Sequence, residues 1–318
     1  MDTLIDLTSD MPPPSQTTGV LHHIPPFTAF EPSSQANPTN IILWIGGLFD
    51  TYHSTRYPYT LASSLPPSWS LAQLLLSSSG LQWGVGSLDK DVAEISKAVS
   101  YFRSLKPNSK IIIMGHSTGC QDAIHYVTSA VPSQGQQRAD IDGFILQAPV
   151  SDREAMLSFM PREKYDAANK LAQEYVDSGK GEDVLPNAMT DFGSCPVSAR
   201  RWLSLASPDG KGQDDYFSSD LPDERLKASF GKITPKTPLL ILFGEKDESV
   251  PAHVDKEAMV KRWVKVAEDA GAKVDPQSTK LLEGASHNLN KDPEPVAQAL
   301  CRRVIKFLEL VEKNSTKL

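Results

Sequence analysis

The sequence predicts an α/β fold, a doubly wound, mostly parallel sheet with an inserted helical cap. Three observations carry that expectation. Short apolar runs alternate with helical stripes along most of the chain, as repeated βα units require. A serine flanked by glycines stands where one of these runs passes into a helix. The alternation stops over residues 152–235, where helices and polar loops take over.

Taken in order, residues 1–16 carry Pro12-Pro13-Pro14 and no periodic apolar signal, so they are expected to form a flexible arm. The core domain is expected over 17–151 and 236–318. His22 and His23, adjacent in an extended segment, should face opposite ways. Ile41-Ile42-Leu43-Trp44-Ile45 ends in Gly46-Gly47, and Ile111-Ile112-Ile113-Met114 ends in Gly115. Both have the continuous apolar character of strands buried on two faces. Between them Leu88, Val92, Ile95, Val99 and Phe102 recur at spacings of three and four, the stripe of a helix covering a sheet. Strands are expected again at Phe144-Ile145-Leu146, at Leu239 to Phe243 and at Lys280-Leu281-Leu282. A last helix should carry Val296, Leu300, Val304, Phe307 and Val311 on one face. Within the cap, Ser151 with Glu154 forms a capping box, and residues 162–177 form a helix with Ala168, Leu171, Ala172 and Tyr175 on one side, stopped by Gly179.

Composition narrows the function. Of 318 residues, 32 are Lys or Arg and 39 are Asp or Glu, a net charge of −7, so no basic excess exists to neutralise phosphates. Neither nucleic acid nor an anionic membrane surface is an expected partner. Three cysteines, Cys120, Cys195 and Cys301, lie far apart and fit neither a disulfide framework nor a zinc site. That points to a reducing compartment, and the start Met1-Asp2-Thr3-Leu4-Ile5-Asp6 lacks the basic and apolar regions of a signal peptide. A cytoplasmic location is expected. The final Thr316-Lys317-Leu318 differs by one residue from the Ser-Lys-Leu peroxisomal address and keeps that location as the weaker alternative. No cofactor and no metal are expected, since no His and carboxylate cluster has ligand spacing. Asp183, Asp214, Asp215 and Asp220 give the cap an acidic character, read as a solvated face.

The chemistry centres on Gly115-His116-Ser117-Thr118-Gly119. A serine at a sharp turn between strand and helix projects its Oγ above the sheet, and the glycines remove side chains that would clash. Ser117 is a weak nucleophile on its own and needs a base oriented by a third group. Among seven histidines, His287 stands out, because it lies in a loop at the carboxyl edge of the sheet, where open α/β sheets bind ligands. His116 is expected to pack, His125 to lie inside the following helix, His53 to follow the first glycine loop and His253 to begin a helix. Asp247, one short loop past the strand Leu239 to Phe243, is the expected acid. Asp152 is its main rival, and Glu245 and Glu248 compete from the same loop. Two backbone donors should hold an oxyanion, Thr118 N–H after the nucleophile and Leu48 N–H after Gly46-Gly47. Tyr52, Tyr57 and Tyr59 could line an acyl pocket or simply pack, and Cys120 should be buried.

Over about residues 40–312 these features resemble the α/β-hydrolase superfamily. Trp44-Ile45-Gly46-Gly47-Leu48, the region from Trp69 to Gly84 followed by Ser87-Leu88-Asp89, and Gly115-His116-Ser117-Thr118-Gly119-Cys120-Gln121-Asp122 are similar to the fungal siderophore esterase family. Ile45 and Gly46 replace the His-Gly common before the oxyanion loop in the wider superfamily. The resemblance implies an intracellular serine esterase acting on a small-molecule ester, a fusarinine-type hydroxamate siderophore that releases its iron on cleavage. Two other functions fit the same motifs. One is a thioesterase, acyltransferase or carbon–carbon hydrolase on another secondary metabolite. The other is a non-catalytic ligand-binding protein, against which the intact Ser, Asp and His set argues. Oligomeric state is not legible.

Overall fold

The computed structural model describes residues 15–33, 37–130 and 138–315. The arm expected over 1–16 lies outside them except for its last two residues, and Thr316-Lys317-Leu318 lies outside them altogether. In chain order the elements are β1 (Gly19–Ile24), β2 (Phe27–Pro32), β3 (Asn40–Ile45), α1 (Tyr57–Ser64), β4 (Trp69–Leu75), α2 (Leu88–Leu105), β5 (Ile111–His116), α3 (Gly119–Thr128) and β6 (Gly143–Gln147). Then come α4 (Asp152–Phe159), α5 (Arg162–Asp177), α6 (Asn187–Thr190), α7 (Ala199–Ala206), α8 (Asp223–Ala228), β7 (Leu239–Leu242), α9 (Lys256–Asp269) and α10 (Glu294–Ser315).

Among the described residues the sheet has seven strands in the order β1-β2-β4-β3-β5-β6-β7. The five from β4 to β7 run parallel, and β1 and β2 add antiparallel at one edge. Side-chain alternation splits the core in two. Ile41, Leu43 and Ile45 of β3, with Ile111 and Ile113 of β5, face α2, α3 and α9. Ile42 and Trp44, with Ile112 and Met114, face α1 and α10. Because both faces are covered, these strands are apolar throughout. The stripe from Leu88 to Phe102 is buried as its spacing requires, and so is the last-helix stripe from Leu300 to Val311, with Val296 half-buried at its start.

Three strands had no sequence signal of their own. β4 carries Ser70 and Gln73 among its apolar residues, yet both are buried. β2 follows Pro25-Pro26 and ends on Pro32. β1 appears only as the extended segment in which His22 is buried and His23 exposed, opposite ways as expected. In the other direction, the strand expected at Lys280-Leu281-Leu282 does not form. Only Leu282 pairs, as an isolated parallel bridge to Gly244.

The stretch 152–235 contains α4 to α8. Helix α5 spans the expected residues, and Gly179 beyond it has φ +77°. Met156, Tyr165, Trp202 and their neighbours form a separate apolar cluster, against which Leu48 and Phe49 pack. Phe217, Leu221, Leu226 and Phe230 join the sheet core instead. Half of the capping box is present: Ser151 Oγ accepts Glu154 N–H, whereas the Glu154 carboxylate holds Ser219 N–H and Oγ–H. The acidic face holds for Asp183 and Asp220, which are exposed, and is corrected for the other two aspartates. Asp214 and Asp215 are buried and paired with the buried Arg201 and Arg153, and Arg153 also pairs with Asp220. Burying a carboxylate without a partner costs several kcal/mol, so Asp214 and Asp215 pair with arginines inside the fold. Among the described residues no helix is long and apolar enough to cross a membrane.

Candidate active site

Strand β5 carries the chain straight into α3, and the reversal takes place at Ser117, whose φ is +52°. Space explains the glycines on either side. A Cβ on Gly115 would stand 2.1 Å from Gly119 O, and one on Gly119 would stand 2.4 Å from Ile45 O and 2.7 Å from Gly46 O. No side chain fits at either position, so the helix packs directly against the end of β3. Ser117 is thereby brought beside the loop after β3, where a Cβ on Gly47 would stand 2.6 Å from Ser117 Cβ.

His287 reaches the serine from the loop before α10. Its Nδ1–H donates to both oxygens of Asp247 at 3.0 Å, which leaves Nε2 bare to accept Ser117 Oγ–H at 2.8 Å. Asp247 is 2% exposed and its Oδ1 also accepts Ser249 N–H at 3.0 Å. Asp152, the rival acid, stands apart from this ring: at the start of α4 its carboxylate accepts Gln121 Nε2–H at 2.7 Å. Glu245 and Glu248 have a different task. Glu248 accepts His287 N–H at 3.0 Å and Glu245 accepts Gly284 N–H at 2.8 Å, so the acid loop holds the backbone of the histidine loop. Sequence spacing gave no sign of this, because carboxylates serving distant amides carry no local pattern.

Charge in the site is set by burial and by neighbours. Burial disfavours the His287 imidazolium, but Asp247, Glu248 and Asp50 outweigh it, so the ring titrates above its ordinary value. Burial likewise disfavours the Asp247 carboxylate, and His287 with Ser249 N–H outweighs it, holding Asp247 below the usual range. Burial, reinforced by the charges of Asp214 and Asp215, pushes Asp152 up to about 8, and burial reinforced by the charge of His287 pushes His116 down to about 3.

The remaining expectations sort as follows. Thr118 stands at the N-cap position of α3 directly after Ser117, and Gly47 N–H is committed to Asp50 Oδ2 at 2.7 Å, which leaves Leu48 N–H as the next donor along that loop. His116 packs, stacked on Trp44, with Nδ1–H donating to Gln147 Oε1 at 2.5 Å. The three tyrosines pack as well: Trp44 Nε1–H donates to Tyr57 OH, Tyr52 OH bonds Thr28 Oγ1, and Tyr59 stacks on His53. His125 sits inside α3, bonded to Asp89 and Tyr216. His253 falls short of a helix, since α9 begins at Lys256 behind the cap Asp255. Cys120 is fully buried, with Sγ against Gly115 O and Gln147 O. Among the described residues no cluster of His, Cys, Asp and Glu is arranged to hold a metal ion.

Comparison with known proteins places the chain in a family. The profile of a family described as a protein of unknown function, DUF1749, matches residues 10–309. The fusarinine C esterase sidJ of Aspergillus fumigatus is 35% identical, over 93% of this chain and 96% of that protein. The esterase AN6793 of Emericella nidulans is 35% identical over 95% of each. Among solved structures, the siderophore hydrolase EstB from Aspergillus fumigatus superposes with a TM-score of 0.82 at 34% identity, covering 94% of this chain and 99% of that one. A monoglyceride lipase from Saccharomyces cerevisiae, at 14% identity and a TM-score of 0.63 over 95% of this chain and 98% of that one, shares the α/β-hydrolase fold.

Proposed function

The chain belongs to the DUF1749 family within the α/β-hydrolase fold, and from that premise we propose how it hydrolyses esters and which esters it takes. Ser117 is the nucleophile, His287 the general base and Asp247 the group that holds His287 in its working tautomer. Ser117 Oγ attacks the ester carbonyl carbon as its proton passes to His287 Nε2, and Leu48 and Thr118 N–H hold the oxyanion that forms. The tetrahedral species collapses to an acyl-serine, and the departing alcohol takes the proton from His287. Water then gives a proton to His287 as it attacks the acyl carbon, and the second tetrahedral species releases the acid as His287 returns that proton to Ser117 Oγ.

The observation that carries this proposal is the continuous relay from Asp247 through His287 to Ser117, with 3.0 and 2.8 Å separations. The substrate is an ester of a fusarinine-type hydroxamate siderophore, supported by two relatives named for fusarinine C and for siderophore hydrolysis. Iron enters as the substrate's cargo. Action inside the cell belongs to the same proposal and is supported by three buried cysteines that form no disulfide.

Reaction with a fluorophosphonate probe, read by intact mass, tests the nucleophile. Labelling of the wild type that vanishes in Ser117→Ala, with kcat on the ferric or iron-free siderophore ester falling by about 10⁶, is the expected result. A folded wild type that stays unlabelled while hydrolysing the ester removes the acyl-serine. Probe labelling without siderophore turnover removes the substrate and leaves the chemistry.

A further inference from the structure

One ionisable side chain beside the reacting serine has no task in that mechanism. Asp50 closes the loop after β3: its Oδ2 accepts Gly47 N–H at 2.7 Å, its own N–H donates to Gly47 O at 3.2 Å, and its carbonyl accepts Gly80 N–H at 3.1 Å. These bonds fix the turn from both ends and hold it against the nucleophile. The fit leaves no slack, since a Cβ on Gly46 would stand 2.6 Å from Asp50 Cβ and one on Gly47 2.6 Å from Ser117 Cβ.

From the same carboxylate a second set of contacts runs to the base. Asp50 Oδ2 lies 3.8 Å from His116 Nε2, and Gln147 links His116 to the carbonyl of His287 through Nε2–H at 3.2 Å. That last bond orients the Gln147 amide, so its oxygen faces His116 and Nδ1 carries the ring hydrogen. His116 Nε2 is then a bare lone pair facing the carboxylate. With His116 kept neutral by burial, no cation faces Asp50 on that side, and burial raises Asp50 to about 6 despite the Gly47 bond, the His287 charge and Thr55 Oγ1–H, which donates to Oδ1 at 3.5 Å. The His116 and His287 rings are 5.2 Å apart, which brings the Asp50 charge within reach of the base.

We propose that Asp50 is a positioning residue for the reaction, setting the oxyanion loop through Gly47 N–H and adding its charge to the field that keeps His287 basic. This rests on the triad assigned above. The other groups bearing on His287 are Asp247 and Glu248 from the loop after β7, His116 from β5 and Asp152 from α4.

Two substitutions in the full chain, assayed on a p-nitrophenyl ester, separate the two roles. Asp50→Ala removes acceptor and charge together, and kcat is expected to fall about 100-fold with KM within about threefold, the signature of a lost transition-state interaction. Asp50→Asn returns an oxygen to Gly47 N–H without the charge. It is expected to restore most of the lost kcat while the acid limb of kcat/KM moves to lower pH by about half a unit. An Asp50→Ala enzyme with wild-type kcat overturns the proposal, as does an Asp50→Asn enzyme whose acid limb stays in place. If Asp50→Ala does not fold, the limb of Asp50→Asn decides alone. Full activity in Ser117→Ala is a distinct failure, which removes the triad and with it any task for Asp50.

Discussion

His287 is held between burial, which favours the neutral ring, and carboxylates that favour the charged one, and the carboxylates prevail. In the proposed mechanism His287 must be neutral to take the Ser117 proton. Activity is therefore expected to fall as pH drops through a value above the ordinary imidazole pKa of about 6.5. Asp247→Asn acts on this balance twice. It removes the largest charge facing the ring, moving the acid limb of kcat/KM to lower pH. Its amide can also donate to Nδ1, which puts the ring hydrogen on Nε2, where it faces Ser117. The expected loss in kcat is about 10⁴-fold. A pH profile measured on this variant checks both effects, and a limb that moves upward contradicts the assignment of Asp247. Glu248→Gln is the matching control, because its amide oxygen still accepts His287 N–H and only the charge is lost.

Elements decide where these residues stand, and the loops at the strand ends leave very different room for change. Gly47→Ala and Gly119→Ala each add one methyl group, with opposite expected outcomes. At Gly47 the new Cβ meets the Ser117 side chain at 2.6 Å and displaces the nucleophile, so kcat should fall at least about 100-fold with little change in melting temperature. At Gly119 it meets Ile45 O at 2.4 Å, both partners being backbone, so α3 must shift and unfolding free energy should fall by about 1–3 kcal/mol. Thermal melts beside kinetics separate the two, and equal melting losses would sink the contrast. The elbow and its strands were legible because strand, glycines and helix all leave marks over a few consecutive residues. β4 was not, since Gln73 and Ser70 interrupt its apolar run and are buried all the same. Lys280-Leu281-Leu282 misled for the opposite reason. Two leucines look like a strand, but Glu245 and Glu248 hold the following loop through side-chain bonds, and a single bridge suffices.

Across the whole molecule, the feature least visible in the sequence is a group of buried carboxylates joining α2, α3 and the helices between β6 and β7. Asp91, Glu94, Asp122, Asp152 and Asp214 are all at least nine-tenths buried, and among the described residues Arg201 and Arg153 are the buried arginines near them. Charge counting along the chain assigned Asp214 to a solvated face because it cannot see which residues the fold encloses. Burial raises Asp152 to about 8 and Asp91 to about 6, above the 3.8 of an unfolded aspartate. At these two groups the folded state binds more protons than the unfolded one over that interval, and their contribution to stability falls as pH rises from about 4 to 8, opposed below about 6.5 by His116, which burial lowers to about 3. His287, also raised, loses its stabilising contribution in the upper part of the same window. Asp152→Asn keeps an oxygen for Gln121 Nε2–H and removes the charge, so it should match the wild type near pH 4 and exceed it by about 2 kcal/mol or more at pH 9. Urea unfolding across that range measures the difference directly. If wild type and variant lose stability in parallel, Asp152 is ionised at no cost in the fold, and the pH dependence must come from other raised groups, Asp50, Asp91, Asp122 and His287 among them.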